Sequence, residues 1–286
     1  MMRKLQKVIP SQASRDGAGV AIRRVAGFDE RAMDPILMID ELRSEHREDF
    51  AAGFPPHPHR GMQTLTYMKH GGIIHEDSTG NRGEIRGGGA QYMSAGRGII
   101  HSEMPTQDSL GLHGFQLWFN LPASEKMLAP RYRDIPAAEL ARAELGGAEV
   151  VAVSGDWSAG TGEELRGPLT ELAPQAALAD VTLGRGADIA LETGEGESVV
   201  VYIYDGSLQV AGSAQGETRS ISARHALIYG AGESLSLRAG DEGAGALVLR
   251  GKPIGEPVVH YGPFVMNTQA EIETAIRDYQ AGRFAA

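Results

Sequence analysis

The sequence predicts an all-β protein built from two β domains and closed by one C-terminal helix. Three observations carry that expectation. Glycine, 38 of 286 residues, is spread along the whole chain, apolar residues fall in short alternating runs rather than helical stripes, and the second half repeats the style of the first. Short runs separated by turn residues suit a sandwich or barrel. A chain of this length accommodates two ordinary domains or one large β domain.

In the first half, candidate strands run from Gly19 to Val25, Ile36 to Asp40, Gln63 to Met68, Gln91 to Ser94 and Gly114 to Leu121. Turn-forming Gly, Pro, Asn or Asp punctuates them. Between Pro122 and Gly147 the pattern loosens into Pro- and Ala/Glu-rich sequence, which places the interdomain connection there. Residues 1–134 then form an N-terminal metal-binding domain and residues 135–286 a C-terminal one. Strand-like runs resume at Glu149 to Val153, Val181 to Leu183, Ser198 to Tyr204, Ser207 to Val210, Ala226 to Tyr229, Ser234 to Leu237 and Ala246 to Leu249. The tail differs: Thr268-Gln-Ala-Glu271 is a capping-box pattern, Ile272, Ala275, Ile276 and Tyr279 follow at helical spacing, and Gly282 closes the segment.

Bulk properties exclude several function classes. A formal net charge of -10 with no Lys/Arg run argues against direct nucleic-acid binding, which needs basic residues to displace counterions from phosphates. With no cysteine there is no disulfide, thiolate metal site, iron–sulfur cluster or thiol catalysis. The first ten residues are basic but lack an apolar stretch, so they do not read as a secretory signal, and no apolar run suits a membrane span. The expected location is cytoplasmic.

Chemistry concentrates in two segments. His57 and His59 stand at alternate positions in Phe54-Pro-Pro-His-Pro-His-Arg60, and His101 and Glu103 in Gly96-Arg-Gly-Ile-Ile-His-Ser-Glu103. Alternate residues of a strand face the same side, so each pair can aim two ligand atoms at one point. Three imidazoles and one carboxylate make a mononuclear site for a divalent ion, with Cu, Mn, Ni, Co and Zn compatible as well as Fe(II). Pro58 removes a ladder donor, which a sheet edge tolerates, and Gly96 and Gly98 permit the turn that delivers His101. Elsewhere the plainer readings prevail. His70 and His75-Glu-Asp77 read as a solvated loop, Gly87-Gly-Gly89 as a hairpin connection, and the isolated His225 and His260 as structural residues of a metal-free C-terminal half. Gln63, Met93, Phe115 and Trp118 could line a pocket for a planar substrate, and core packing accounts for the last three equally well.

The two ligand segments resemble cupin motifs, and a longer set resembles the pirin family: His57-Pro-His-Arg-Gly-Met-Gln-Thr-Leu-Thr-Tyr67, Gly71-Gly-Ile-Ile-His-Glu-Asp77, Gln91 to Pro105, His113-Gly-Phe-Gln-Leu-Trp-Phe-Asn-Leu-Pro122 and Gly262-Pro-Phe-Val-Met-Asn267. That resemblance implies two cupin domains, jelly-roll-like β-barrels, with iron, as Fe(II), in the N-terminal one on His57, His59, His101 and Glu103. For bacterial members it implies quercetin 2,3-dioxygenase activity: a flavonol-like planar aromatic substrate is opened with dioxygen, carbon monoxide leaves, and Glu103 serves as ligand and general base. It also implies a rival, a non-enzymatic iron-dependent regulator acting through a protein partner. Two positions depart from the pattern, Gln63 where cupins and many pirins carry glutamate, and Gly96 where cupins carry proline.

Overall fold

The computed structural model describes residues 1–160, 162–172, 174–211 and 218–284. The chain divides into two compact units that do not follow a single cut. One comprises Gln12–Arg31, Ile36–Glu139 and Ile254–Ala286; the other comprises Met1–Ser11, Ala32–Pro35 and Leu140–Pro253. Each unit therefore takes in a terminus that a division at residue 134 assigns elsewhere. The reason is hydrogen bonding that composition does not reveal: the Leu5–Pro10 strand pairs with His225–Tyr229, while the C-terminal helix packs on Val259–Tyr261 and Phe264–Met266.

The unit that carries His57 is built mainly from two antiparallel sheets, with the pair Val259–Tyr261 and Phe264–Met266 as a third, two-stranded one. The larger runs Arg131–Ile135, Ala90–Ser94, Met62–His70, Leu112–Asn120, Ile36–Ser44, Val20–Ala26 and Gln12–Asp16. The smaller runs Phe54–His59, Ile99–Pro105, Gly72–Asp77 and Arg82–Arg86. Alternating runs predicted five of these strands to within a few residues. The sequence around Arg131–Ile135 and Ala141–Leu145, read as a loose connection, instead forms two strands, because a Pro/Ala/Glu-rich composition hides short edge strands whose partners supply the hydrogen bonds. The segment from Gly87 to Gly89 joins strands of different sheets rather than a hairpin. One apolar cluster gathers Ile22, Leu42, Met68, Ile73, Ile85 and Leu112, and another Met62, Met93, Ala95, Ile99 and Val265. Burying each of the larger side chains among them contributes about 1.5–3 kcal/mol.

The helix Gln269–Gln280 begins as its sequence requires. Thr268 accepts from the Glu271 backbone N–H, and the Glu271 carboxylate accepts from the Thr268 backbone N–H at 2.9 Å, which closes the capping box. Ile272 and Ala275 are buried with Phe264, Met266 and Phe284. Arg60, next to His59, donates to Asp278 at 2.9 Å and lies 4.4 Å from the Phe284 ring centroid, so the helix is tied to the strand that carries two of the candidate ligands.

The other unit is a nine-stranded antiparallel arrangement around Ser198–Ala211 and Ser234–Gly251. Each of these long strands absorbs two of the short runs seen in the sequence. Their registers shift between Ile203 and Asp205 and between Gly206 and Leu208, where bulges keep a long pair continuous. Alternate residues Val199, Val201 and Ile203 face the core with Ala244, Ala246 and Val248.

Candidate metal centre

His57 and His59 lie on the edge strand of the smaller sheet, whose only ladder partner among the described residues is Ile99–Pro105. An edge is where Pro55, Pro56 and Pro58 cost least, since they have no N–H to leave unpaired. His101 is the cross-strand partner of His57, and Ile99 that of His59. Between them and the next pair the register slips, because Phe54 and His57 are three residues apart while their partners Glu103 and His101 are two apart. The bulge falls at Pro55-Pro56. Gly96 and Gly98, both at positive φ, turn the chain into the His101 strand, and a Cβ on either would collide with a carbonyl oxygen, of Leu128 or Phe284.

The result is a three-imidazole cluster. One ligand atom from each of His57, His59 and His101 lies within 4.8 Å of the others. Every Nδ1 is engaged away from that point: His57 Nδ1 donates to the Pro55 carbonyl at 2.8 Å and His59 Nδ1 to the Pro263 carbonyl at 3.3 Å, while His101 Nδ1 meets His75 Nδ1 at 3.3 Å. Because a carbonyl only accepts, Nδ1 of His57 and of His59 must carry the hydrogen, which leaves each Nε2 with its lone pair. His101 Nε2 is buried and without a hydrogen-bond partner among the described residues. Burial, reinforced by neighbouring imidazoles, holds His59 and His101 well below the ordinary histidine range, so both stay neutral at physiological pH. Three imidazoles gathered within 4.8 Å, one of them with a buried and unpartnered Nε2, fit a divalent ion.

Glu103 is buried but stands apart from that cluster. Its carboxylate meets Thr66 Oγ1 at 3.1 Å and accepts from Gln116 Nε2 at 2.9 Å, and Thr66 Oγ1 is 2.6 Å from Gln116 Oε1. Thr66 and Gln116 are cross-strand partners on the larger sheet, so Glu103 reaches across from the smaller sheet to a prearranged pair. Sequence reasoning overlooked both, although a glutamine within the apolar run Phe115 to Phe119 was a visible signal.

A cavity of about 600 Å³ opens beside these groups, within the range typical of small-molecule sites. His57, His59, Glu103 and Gln116 line one part, and Phe28, Met38, Leu42, Phe54 and Trp118 supply apolar walls. Arg24, bonded to Asp40 at 2.8 and 2.6 Å and also paired with Asp16, adds a charged end. Of the four residues considered for a planar-substrate pocket, Trp118 lines this cavity, with its ring 5.0 Å from that of His59. Phe115 borders a smaller neighbouring space, Met93 is core, and the Gln63 amide donates to Tyr92 at 2.7 Å.

Two plain readings are overturned. His75 is not in a solvated loop: it sits 1% exposed in the Gly72–Asp77 strand, between Tyr132 on one ring face and His101 and Asp77 at its nitrogens. Glycines before it suggested a turn, but the turn ends at Gly71 and the ladder starts at Gly72. His260, read as an isolated structural residue, lines the cavity and stacks on Phe28 with ring centroids 4.0 Å apart. His225 is hydrogen-bonded to the carbonyls of Ser222 and Ala223.

Comparison with known proteins places the architecture. The Pirin family model matches residues 19–119 and the Pirin C-terminal cupin domain model matches residues 178–285. A Vibrio cholerae protein named "Putative quercetin 2,3-dioxygenase" is 45% identical over 292 residues, covering 99% of this chain and 98% of its own. The chain belongs to the pirin family. Its fold is accordingly the two-domain cupin fold, as its motifs suggested. Pirin-1 of Arabidopsis thaliana is 39% identical over 277 residues, covering 96% and 92% of the two chains. A crystal structure of quercetin 2,3-dioxygenase from Acinetobacter baumannii matches with a TM-score of 0.87 at 29% identity, covering 100% of this chain and 99% of the other. In this pirin chain His57, His59 and His101, three of the four expected ligands, stand together in a cluster that could hold a metal ion. No helix among the described residues is long and apolar enough to cross a membrane.

Proposed function

We propose that the chain is a metal-dependent dioxygenase that opens the ring of a flavonol-like planar aromatic with dioxygen and releases carbon monoxide, with Glu103 taking the proton of the flavonol 3-hydroxyl. The single observation that carries this reading is a buried carboxylate, Glu103, in one apolar-walled cavity with His57 and His59, two of the three clustered imidazoles. Relatives that share nearly the whole chain are named "Putative quercetin 2,3-dioxygenase", which supports the substrate class.

His57, His59 and His101 would hold the ion; Glu103, the expected fourth ligand, would join them only on leaving Thr66 and Gln116, and in its place beside them it serves as the base. Once bound, a divalent ion supplies Lewis acidity at the substrate oxygen and, if redox-active, a route for electrons to dioxygen. The protein's own part is proton chemistry and positioning. The ring of Glu103, Thr66 and Gln116 has three contacts but only two hydrogens to fill them, one from the Thr66 hydroxyl and one from the Gln116 amide. A proton arriving on Glu103 Oε1 completes the ring: Glu103 donates to Thr66, Thr66 to Gln116 Oε1, and Gln116 Nε2 to Glu103 Oε2. The carboxylate is thus arranged to receive a proton, and the electron pair left by the broken O–H bond stays on the flavonol oxygen. Apolar walls of Phe28, Phe54 and Trp118 suit a flat ring system and exclude water.

The test is to load purified protein separately with Fe(II), Cu(II), Mn(II) and Ni(II), add quercetin in air, and follow loss of the flavonol band and release of carbon monoxide. Metal-dependent turnover that vanishes on chelation is the expected result. No turnover with any of the four ions overturns the reading and leaves a non-enzymatic, partner-directed role as the alternative.

A further inference from the structure

Asp77, two residues from His75 in sequence, ends the same strand and is the cross-strand partner of His101, while His75 is the cross-strand partner of Glu103. Its side chain is wholly buried. Five groups surround its carboxylate: the Thr79 N–H and hydroxyl at 2.8 and 2.7 Å, the Asn81 N–H at 3.1 Å, Asn81 Nδ2 at 2.9 Å, and His75 Nε2 at 3.1 Å. Burial opposes the charge on Asp77, but hydrogen bonds from Asn81, Thr79 and His75 outweigh it and hold the carboxyl below its ordinary range. Ringed by donors, Asp77 can only accept.

We propose that Asp77 and His75 form a relay that fixes the tautomer of His101 and so determines that Nε2, not Nδ1, presents its lone pair to the metal site. The proposal rests on the metal-site reading above and follows from counting hydrogens. His75 Nε2 faces a carboxylate and must donate, so a neutral His75 has a bare Nδ1. That atom lies 3.3 Å from His101 Nδ1 and must accept, so His101 carries its hydrogen on Nδ1. His101 Nε2, buried and unpartnered, is left as a lone pair. With both imidazoles neutral, the opposite arrangement fails at both ends: it sets two lone pairs together at Asp77 and puts a hydrogen where the ion would sit. The two other imidazoles reach the same tautomer through backbone carbonyls, of Pro55 and Pro263. Only His101 depends on a side chain, which in turn depends on a carboxylate, so the charge of Asp77 also makes His101 the most electron-rich of the three donors. The Tyr132 ring, stacked on His75 at 4.5 Å and 24°, keeps the imidazole in the plane the relay needs. His75 and Asp77 are positioning residues; neither lines the cavity.

The experiment uses the full chain and Zn(II), which is diamagnetic and requires no turnover. Long-range proton–nitrogen correlation spectra of histidine-labelled protein should show Nε2–H for His75 and Nδ1–H for His101, with and without zinc. Competition against a chromophoric chelator should show His75→Leu weakening Zn(II) binding by about 10- to 100-fold, the usual loss when a metal ligand's outer partner is removed. His75→Asn, whose side-chain oxygen can occupy the place of Nδ1, should recover most of that loss, and melting of the metal-free variants separates misfolding from weakened binding. Equal Zn(II) affinity in wild type and His75→Leu, no recovery in His75→Asn, or a hydrogen found on His101 Nε2 overturns the relay. If wild-type protein binds no Zn(II), the metal-site reading falls and the relay with it; failure to consume quercetin would touch neither.

Discussion

Gln116 Nε2 donates to Glu103 Oε2 at 2.9 Å, across the space between the two sheets of the unit that carries the histidine cluster. That bond holds a buried carboxylate apart from the imidazole cluster while keeping it in the cavity that His57 and His59 line. A group in this position can accept a proton without first rearranging the barrel.

Replacing Glu103 with Gln should lower turnover of quercetin by roughly 10²- to 10⁴-fold, the range expected for loss of a general base. The fold should not suffer. The new amide donates to Thr66 and still accepts from Gln116, which supplies the hydrogen that the three-membered ring lacks. Steady-state kinetics and thermal melting check both halves, and undiminished flavonol loss would remove Glu103 from its role.

Thr66→Val keeps the shape of the side chain but deletes the hydroxyl between Glu103 and Gln116. Leaving buried polar atoms unpaired costs about 1–3 kcal/mol. The expected kinetic signature is a lower kcat with KM nearly unchanged, because Thr66 does not line the cavity. A change confined to KM would contradict this.

His59→Ala should reduce bound metal, measured by elemental analysis, together with activity. Wild-type protein should also gain melting temperature as Zn(II) is added, since an ion that binds only the folded state at 100 times its Kd stabilises by about 2.7 kcal/mol. That gain should be small in His59→Ala. Full metal retention would reassign the ligands.

Metal-free protein should lose stability as pH falls below about 6.5. Burial, with help from adjacent imidazoles, holds His59 and His101 well below the ordinary histidine range, so the folded state resists protons that the unfolded chain takes up. Where the unfolded state binds more protons, stability rises with pH, here by about 1.4 kcal/mol per pH unit for each group until the curve flattens above 6.5. Urea midpoints between pH 5.5 and 7.5 report the slope, and His101→Phe should reduce it.

Lys126, 1% exposed, donates to the Gly61 carbonyl at 2.7 Å, Asn120 Oδ1 at 2.6 Å and the Val265 carbonyl at 3.1 Å. Lys126→Met strands three buried acceptors at about 1–3 kcal/mol each. A destabilisation of about 3 kcal/mol or more in chemical denaturation is expected; an unchanged midpoint would show that water replaces the ammonium.

Much of this molecule was legible without coordinates. Alternation marked the core strands, the Thr268–Glu271 pair marked the helix, and the His-x-His and His-x-Glu spacings pointed to the metal site, because each depends on neighbours in sequence. The relay was not legible: His75 follows two glycines and precedes two acids, a local pattern indistinguishable from an exposed turn. His260 was equally opaque, since it lies about 230 residues from the Phe28 it stacks on.

What the sequence determined by itself is periodic: which residues alternate inward on a strand, where one helix starts, and that three imidazoles share two short segments. Only the tertiary structure decided which strands are partners, and with them that Glu103 rests on Thr66 and Gln116, that His101 leans on His75 and Asp77, and that each terminus belongs to an unexpected unit. Strand pairing is a non-local choice, made by backbone groups that every residue except proline carries alike, so the identity of a partner strand leaves little trace in the residues themselves.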